Sequence, residues 1–327
     1  MRAVLIHEFG DPDNLAIAKI ELPIPGPDEI LVKVKATALN RADILQRRGF
    51  YPPPPGSSSI LGLEIAGYVE QIGKRVENWK TGDRVFGLLA GGGYAEFATI
   101  HKDIAMAIPD ELSFNEAAAI PEVFLTAFQA LSYLAKLQKG EQILIHAGAS
   151  GVGTAAIQLS KIIGASSIIV TASKGKHTIC EKLGANITID YKTLNFETEI
   201  NGITEGKGVD VIIDFLAAPY FQKNLNSMNF DGRMIMLALM GGATADQVDL
   251  KNILSKRIRV IGSTLRARSE NYKIKLTQDF KDFALKRFVT GELQPVIDKV
   301  YHWEDVIDAH RYMESNQNIG KIILNIS

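Results

Sequence analysis

The chain has one cysteine, Cys180, in 327 residues. A single thiol excludes an intramolecular disulfide and a four-cysteine structural zinc site. The sequence also lacks a surplus of either charge. With 36 Lys and Arg against 37 Asp and Glu, the formal net charge is -1, which disfavours a broad phosphate-binding surface and a dedicated nucleic-acid binder. Long apolar runs are missing too. The longest stretch free of formal charge, Gln142 to Ser160, is broken by His146, Gly148, Ser150, Gly151, Gly153, Thr154 and Gln158, so it would span a bilayer poorly and no membrane partner is expected. The opening residues Met1 to Glu8 stop being apolar before a signal-peptide core can form, which leaves the cytosol as the expected compartment. There is no His-Glu-x-x-His, and the six histidines are scattered singly, so no metal site is expected. What remains is an ordinary globular composition, 46% hydrophobic and 22% charged, of a length that suits about two domains.

Short β-branched runs fill the first third: Ala3 to Ile6, Ile30 to Ala36, Ile65 to Ile72, Arg84 to Leu89 and Tyr94 to Ile100. They predict a β-rich region. Pro23 to Asp28 and Tyr51 to Ser59 are loops, because proline removes donors and fixes φ. From Ser113 the period changes. Ser113 and Glu116 have capping-box spacing, and Pro121 to Lys136 carries apolar residues at helical intervals. Strands at Gln142–His146, Ile168–Ala172, Ile187–Ile189, Val209–Asp214, Arg233–Leu239 and Ile258–Ser263 then alternate with helices at Val152–Ile163, Lys174–Leu183, near Phe196, Phe221–Met228 and near Ile253. This pattern predicts an α/β fold with a doubly wound parallel sheet over residues 121–264. Residues 1–120 and 265–327 then form the β-rich domain, the latter with a long helix to about Thr290, a strand near Val300, a helix Trp303–Glu314 and a strand Lys321–Asn325.

The strand Gln142–His146 runs into Ala147-Gly148-Ala149-Ser150-Gly151-Val152-Gly153-Thr154-Ala155-Ala156 and then a helix. In one register it reads Gly151-x-Gly153-x-x-Ala156, in another Gly148-x-Ser150-x-x-Gly153. Either lets the backbone of Gly148, Ser150, Gly151, Val152 and Gly153 approach a pyrophosphate at a helix N-terminus. At the end of the second strand, where an acidic residue would bind the ribose 2′-hydroxyl of NAD, the chain has Ser173-Lys174-Gly175-Lys176, and no Asp or Glu occurs between Gln142 and Cys180. NADPH is therefore the expected cofactor; the plain alternative is that these lysines solvate a helix start. Leu239, Met240 and Gly241 end a later strand at the carboxyl edge, where cofactors lie in such sheets. Leu265 and Arg266 follow the last strand and could complete that wall. Hydride transfer without zinc points to activated acceptors, since a quinone becomes a phenolate-like anion whose acid has a pKa of about 10. A delocalised enolate from an α,β-unsaturated carbonyl is also compatible.

Ala38-Leu39-Asn40-Arg41-Ala42-Asp43, Leu61-Gly62-Leu63-Glu64-Ile65-Ala66-Gly67, Gly82-Asp83-Arg84-Val85, Gly93-Tyr94-Ala95-Glu96 and Asn318-Ile319-Gly320-Lys321-Ile322 follow one another as in the medium-chain dehydrogenase/reductases. Over nearly its whole length the chain resembles the zinc-free quinone oxidoreductase branch of that superfamily. Gln46 to Pro54 and Leu239 to Gly242 resemble its tumour-suppressor-inducible subgroup. The resemblance implies a GroES-like catalytic domain beside a Rossmann domain, with Asn40 and Leu63 where zinc-dependent relatives carry a cysteine and a histidine ligand. It implies that Asn40 and Tyr51 hydrogen-bond a quinone oxygen, that Thr126 holds the nicotinamide end, and that Ser173, Lys176 and Tyr191, with Asn318 or Lys321, meet the 2′-phosphate. The loop after Ala172 is one residue shorter than in the family, which makes Lys174 a competitor for that role.

Three functions follow as expectations. The first is an NADPH:quinone oxidoreductase, the second a 2-enoyl thioester or alkenal reductase. The third is a crystallin-like or RNA-binding protein using Lys251, Lys256, Arg257, Arg259, Arg266 and Arg268. The segment Arg257–Leu265 should lie at a sheet edge, and a symmetric homodimer is expected across it.

Overall fold

The computed structural model describes residues 1–326. The chain divides into two compact units, Met1–Leu125 with Leu265–Ser327, and Thr126–Thr264.

The first unit is built on a seven-stranded sheet. Its organising strand, Glu29–Ala38, pairs along one edge with Glu64–Ile72 and along the other with both Phe97–His101 and Lys321–Asn325. Arg84–Leu88 and Ala105–Ala107 continue the sheet at one end, Ile297–His302 at the other. From Ile30 to Ala38 every residue but Lys33 and Lys35 is buried, which places Ile30, Leu31, Val32, Val34 and Ala36 in the core. Arg2–Ile6 pairs with Leu15–Lys19 to form a separate ribbon. That ribbon takes the backbone of Tyr94, since Val4 N donates to Tyr94 O at 2.9 Å. The strand expected from Tyr94 accordingly begins at Phe97. The short helix Arg41–Arg47 carries too little apolar periodicity to be read from the sequence.

The second unit holds six parallel strands in the spatial order Ile187–Asp190, Ser167–Ala172, Gln142–Ile145, Val209–Asp214, Met228–Met236, Arg259–Gly262. In chain order this is 3-2-1-4-5-6, the doubly wound Rossmann arrangement. Leu144, Ile169, Ile212, Leu225 and Met234 lie in its buried cluster. The helix expected over Pro121–Lys136 is α only to Phe128; Gln129–Ala135 widens into a π-helix that ends at Lys136 with φ 49°. Arg233 secures that end, donating from Nε to Ala135 O at 2.9 Å and pairing with Glu141 at 2.6 Å. The helix expected from Lys174 opens instead as a 3-10 turn, Lys174–Lys176, before His177–Leu183; Gly175 is a poor helix former. Arg259–Gly262 is an edge strand, as expected. Among the described residues no helix is long and apolar enough to cross a membrane.

Candidate active site

Strand register assembles a polar cluster in the first unit. Ile323 faces Ala38 in an antiparallel pair, so Lys321 arrives at the level of Asn40. Thr37 faces Ile65 across the other edge, which brings Glu64 to the same end of the sheet. Lys321, 3% exposed, donates from Nζ to Glu64 Oε1 at 2.8 Å, to Asn40 Oδ1 at 2.7 Å and to Leu39 O at 2.7 Å. Asn40 Nδ2 donates to Glu64 Oε1 at 2.8 Å and to Ala38 O at 3.4 Å. Glu64 Oε2 accepts the backbone amide of Glu122 at 2.8 Å. Asp43, one turn into its helix, accepts Asn40 N at 2.7 Å, Gly62 N at 3.0 Å and the Tyr94 hydroxyl at 3.2 Å. Burial pushes its carboxyl up to about 6 against the opposing pull of the Asn40 and Gly62 amides.

The Asn40 amide points into this network, with its nitrogen on Glu64 and Ala38. The Lys321 ammonium is surrounded by its three acceptors. Asn318 turns its side-chain nitrogen onto Gly320 O at 3.1 Å.

Tyr51 is half-buried beneath Arg266, whose guanidinium lies 5.3 Å from the ring centroid. Arg266, 3% exposed, donates to Ala90 O at 2.7 Å and to Tyr51 O at 3.4 Å, and its Nη2 is buried without a partner. Burial first, then the neighbouring Glu122 charge, raises the Tyr51 hydroxyl above its ordinary value. Leu265 is buried in the same unit. Arg266 also borders a cavity of about 570 Å³ lined by Pro54, Pro55, Gly91, Gly92 and Lys273.

The second unit presents the glycine turn. Ala147 has φ 48°, and the helix Gly151–Ile163 is capped by Ser150, whose hydroxyl accepts Gly153 N at 3.0 Å. A Cβ at Gly153 would lie 2.4 Å from Ala147 O, and one at Gly148 would lie 2.7 Å from Val170 Cβ. Only glycine allows this close winding, and it leaves the first amides, at Gly151 and Val152, facing away from the helix. Because Asp190 pairs with Ala172 in parallel register, Ser173 and Tyr191 follow at one level. Lys174 and Tyr191 are exposed there, while Ser173 and Lys176 are half-buried. His177, missed by sequence reasoning, ties the two strand ends, contacting Ala172 O at 3.1 Å and Thr188 Oγ1 at 3.0 Å. Exposed Leu239 and Met240 lie on a loop pinned by Met240 N to Phe215 O at 3.0 Å and Gly241 N to Leu216 O at 2.9 Å. Thr126 is half-buried, and no described residue takes its hydroxyl, so the mid-helix back-bond is not made. The glycine cradle and open amides fit a dinucleotide.

Two family descriptions match the chain: an alcohol dehydrogenase GroES-like domain over residues 26–110 and a zinc-binding dehydrogenase over residues 151–282. The chain is 30% identical to the quinone oxidoreductase of Homo sapiens over 330 residues, covering 99% of this chain and 97% of that one. A solved quinone oxidoreductase from Pseudomonas syringae pv. tomato superposes with a TM-score of 0.87 at 30% identity, covering 99% of each chain. The CurK enoyl reductase superposes with a TM-score of 0.88 at 29% identity, covering 100% of this chain and 99% of that one. The protein belongs to the medium-chain dehydrogenase/reductase superfamily of nicotinamide-dependent oxidoreductases, with a GroES-like first unit and a Rossmann second unit.

The word zinc in one of those descriptions can be tested against the residues present. At the two ligand positions singled out in the sequence stand Asn40, an amide already bonded to Glu64 and Lys321, and Leu63, an apolar residue 1% exposed. The ammonium of Lys321 supplies the positive charge among these groups. Among the described residues no cluster of three or more His, Cys, Asp and Glu is arranged to hold a metal ion. This donor set does not fit zinc.

Proposed function

We propose that the protein is an NADPH-dependent quinone oxidoreductase. The observation that carries this reading is the Lys321–Glu64–Asn40 network, which occupies the catalytic unit with an ammonium and an amide and provides no Lewis-acid ligand set. A reduced quinone needs no such acid, because a phenol of pKa about 10 forms readily. The likeness to quinone oxidoreductases supports the same acceptor.

Gly148, Ser150, Gly151, Val152 and Gly153 would hold the pyrophosphate through backbone amides. Ser173, Lys174, Lys176 and Tyr191 would take the 2′-phosphate, with Lys174 the most accessible cation of the set. Thr126, with its open hydroxyl, would hold the nicotinamide end beside Leu239, Met240 and Gly241. When bound, the cofactor supplies a hydride, and the protein contributes placement and electrostatics. Tyr51, stacked under Arg266, offers a hydroxyl to the acceptor oxygen as charge develops there. Asn40 keeps Glu64 and Lys321 in register. Two copies would associate through the edge strand Arg259–Gly262, where Val260 is 37% exposed and Leu254 is 85% exposed close by; sedimentation at the mass of one chain would remove that pairing.

The test is oxidation of NADPH and NADH followed at 340 nm with an ortho-quinone, a para-quinone and an enoyl-coenzyme A in parallel. NADPH-preferring quinone turnover is the expected result. A second reading, reduction of a 2-enoyl thioester, is favoured by the equal likeness to CurK, and enoyl turnover with inert quinones would establish it in place of the first. An RNA-binding role is disfavoured by the basic residues themselves. Arg257 pairs with Asp231 at 2.6 Å, Lys256 donates to Met228 O at 2.6 Å and Arg266 is buried.

A further inference from the structure

The cavity of the first unit has walls of two kinds. Leu89, Ile100 and Ile104 give it buried apolar surface, and Arg266, Arg268 and Lys273 bring three cations to it. Its volume, about 570 Å³, lies within the range of about 300–1,000 Å³ usual for small organic ligands. Two of the cations have no counter-ion among the described residues. Arg266 is 3% exposed, and its donors go to the carbonyls of Ala90 and Tyr51, not to a carboxylate. Its Nη2 is buried without a partner, 3.4 Å from where a Cβ of the lining residue Gly91 would stand. Lys273 is half-buried on the same wall, and no described carboxylate pairs with its ammonium. The acids that share the cavity are placed otherwise. Glu21 is exposed, Glu29 accepts Gly26 N at 2.8 Å, and Glu270 has its Oε1 4.0 Å from His101 Nε2. A buried guanidinium ordinarily has an opposite charge beside it, because desolvating it alone is costly; this one has a cavity.

We propose that the cavity binds an anionic group of the acceptor, so that the preferred substrate is a quinone bearing a carboxylate, sulfonate or phosphate, held by its anion at Arg266 and Lys273. A guanidinium and an ammonium recognise the same oxyanions, the first through its planar fork and the second as a point charge. Leu89, Ile100 and Ile104 pack hydrocarbon of the same molecule. Arg266 also ties the cavity to Tyr51, since its guanidinium lies 5.3 Å from that ring's centroid. Anchoring the anion therefore gathers the acceptor beside the hydroxyl that would meet its oxygen. Specificity follows from the same charges: a neutral quinone leaves them uncompensated and binds less well than its acidic counterpart. This inference rests on the quinone-reduction reading above.

Calorimetric titration of the cofactor-free protein with naphthalene-2-sulfonate, which NADPH does not reduce, and with 2-naphthol reads the anion site by itself. The sulfonate should bind about tenfold more tightly than the naphthol. Lys273→Met should remove most of that advantage, and Lys273→Arg should keep it. Inorganic phosphate should displace the sulfonate poorly, because it lacks the hydrocarbon; phosphate that competes as well as the sulfonate marks a site for a free anion and overturns the proposal. Turnover with NADPH then compares 1,2-naphthoquinone-4-sulfonate with 1,2-naphthoquinone. In Lys273→Met the KM of the sulfonate should rise about tenfold more than that of the parent quinone, the larger change falling on KM rather than kcat. Equal affinity for sulfonate and naphthol, or a Lys273→Met protein that keeps the preference, overturns the proposal, and where both quinones are still reduced the quinone reading stands. A wild-type protein that prefers the sulfonate but reduces neither quinone removes the function, and the assignment of the anion to its acceptor with it.

Discussion

Around Lys321 in the first unit the polar side chains are buried and bonded to one another; at the strand ends of the Rossmann unit Lys174 and Tyr191 are exposed, and in the proposed function the backbone there carries the recognition. Lys321 is 3% exposed and Glu64 fully buried, whereas Lys174 stands in solvent. A group that must stabilise charge developing in a reaction has to be held beforehand, because reorganisation during the step costs rate. A group that greets a diffusing phosphate can remain mobile and hydrated, since its contribution is largely long-range attraction. Damage to the first region should therefore appear as lost stability, and damage to the second as lost affinity.

The largest effect should come from splitting the buried ion pair. Lys321→Met leaves the Glu64 carboxylate uncompensated and should cost about 3–5 kcal/mol in urea unfolding; adding Glu64→Gln should restore much of it, because neither charge is then left alone. Next is the glycine turn. Gly153→Val places side-chain atoms where a Cβ already lies 2.4 Å from Ala147 O, and NADPH affinity should fall at least tenfold, about 1.4 kcal/mol or more, by fluorescence titration.

A pH series sharpens the contrast. Glu122 and Asp43 have raised folded-state values, about 8 and about 6, so the folded protein binds more protons than the unfolded chain between the ordinary carboxylate range and those values. The stability these two groups contribute is then fully present at acid pH and is lost as pH rises toward 8. Glu122→Gln should flatten the upper part of that fall in Tm. The smallest effects belong to the cations at the strand end, exposed Lys174 and half-buried Lys176: Lys174→Ala and Lys176→Ala should each weaken NADPH binding by about 0.2–1 kcal/mol, leave NADH unchanged, and lose their effect at high salt.

What the sequence made legible divides along the same line. The strand, glycine turn and helix from Gln142 to Ile163 lie in one continuous segment, and the chemistry that needs them is local, so motif and structure coincide. The catalytic network is drawn from residues 40–43, 62–64, 122 and 321, and what joins them is strand register, which no window of the sequence displays. A reading of the sequence therefore takes Asn40 as a donor to the acceptor and Asn318 or Lys321 as a phosphate ligand, and gives Glu64 and Asp43 no role. A signal was present: Glu64 and Lys321 each head an apolar strand, Ile65-Ala66 and Ile322-Ile323-Leu324, and a charge entering a core in this way needs an opposite partner. The π-helical widening at Gln129–Ala135 had no comparable signal, because the residue that secures it, Arg233, is nearly a hundred positions downstream.

The Lys321–Glu64 contact spans 257 residues of chain, with the whole Rossmann unit between its ends. On the ribosome, at about 5–20 residues per second, Glu64 emerges roughly 13–50 s before its counter-charge. Through that interval the half-built sheet has a solvated carboxylate where its core should close, so the Rossmann unit can fold first and the enclosing unit seals only when its last strand is delivered.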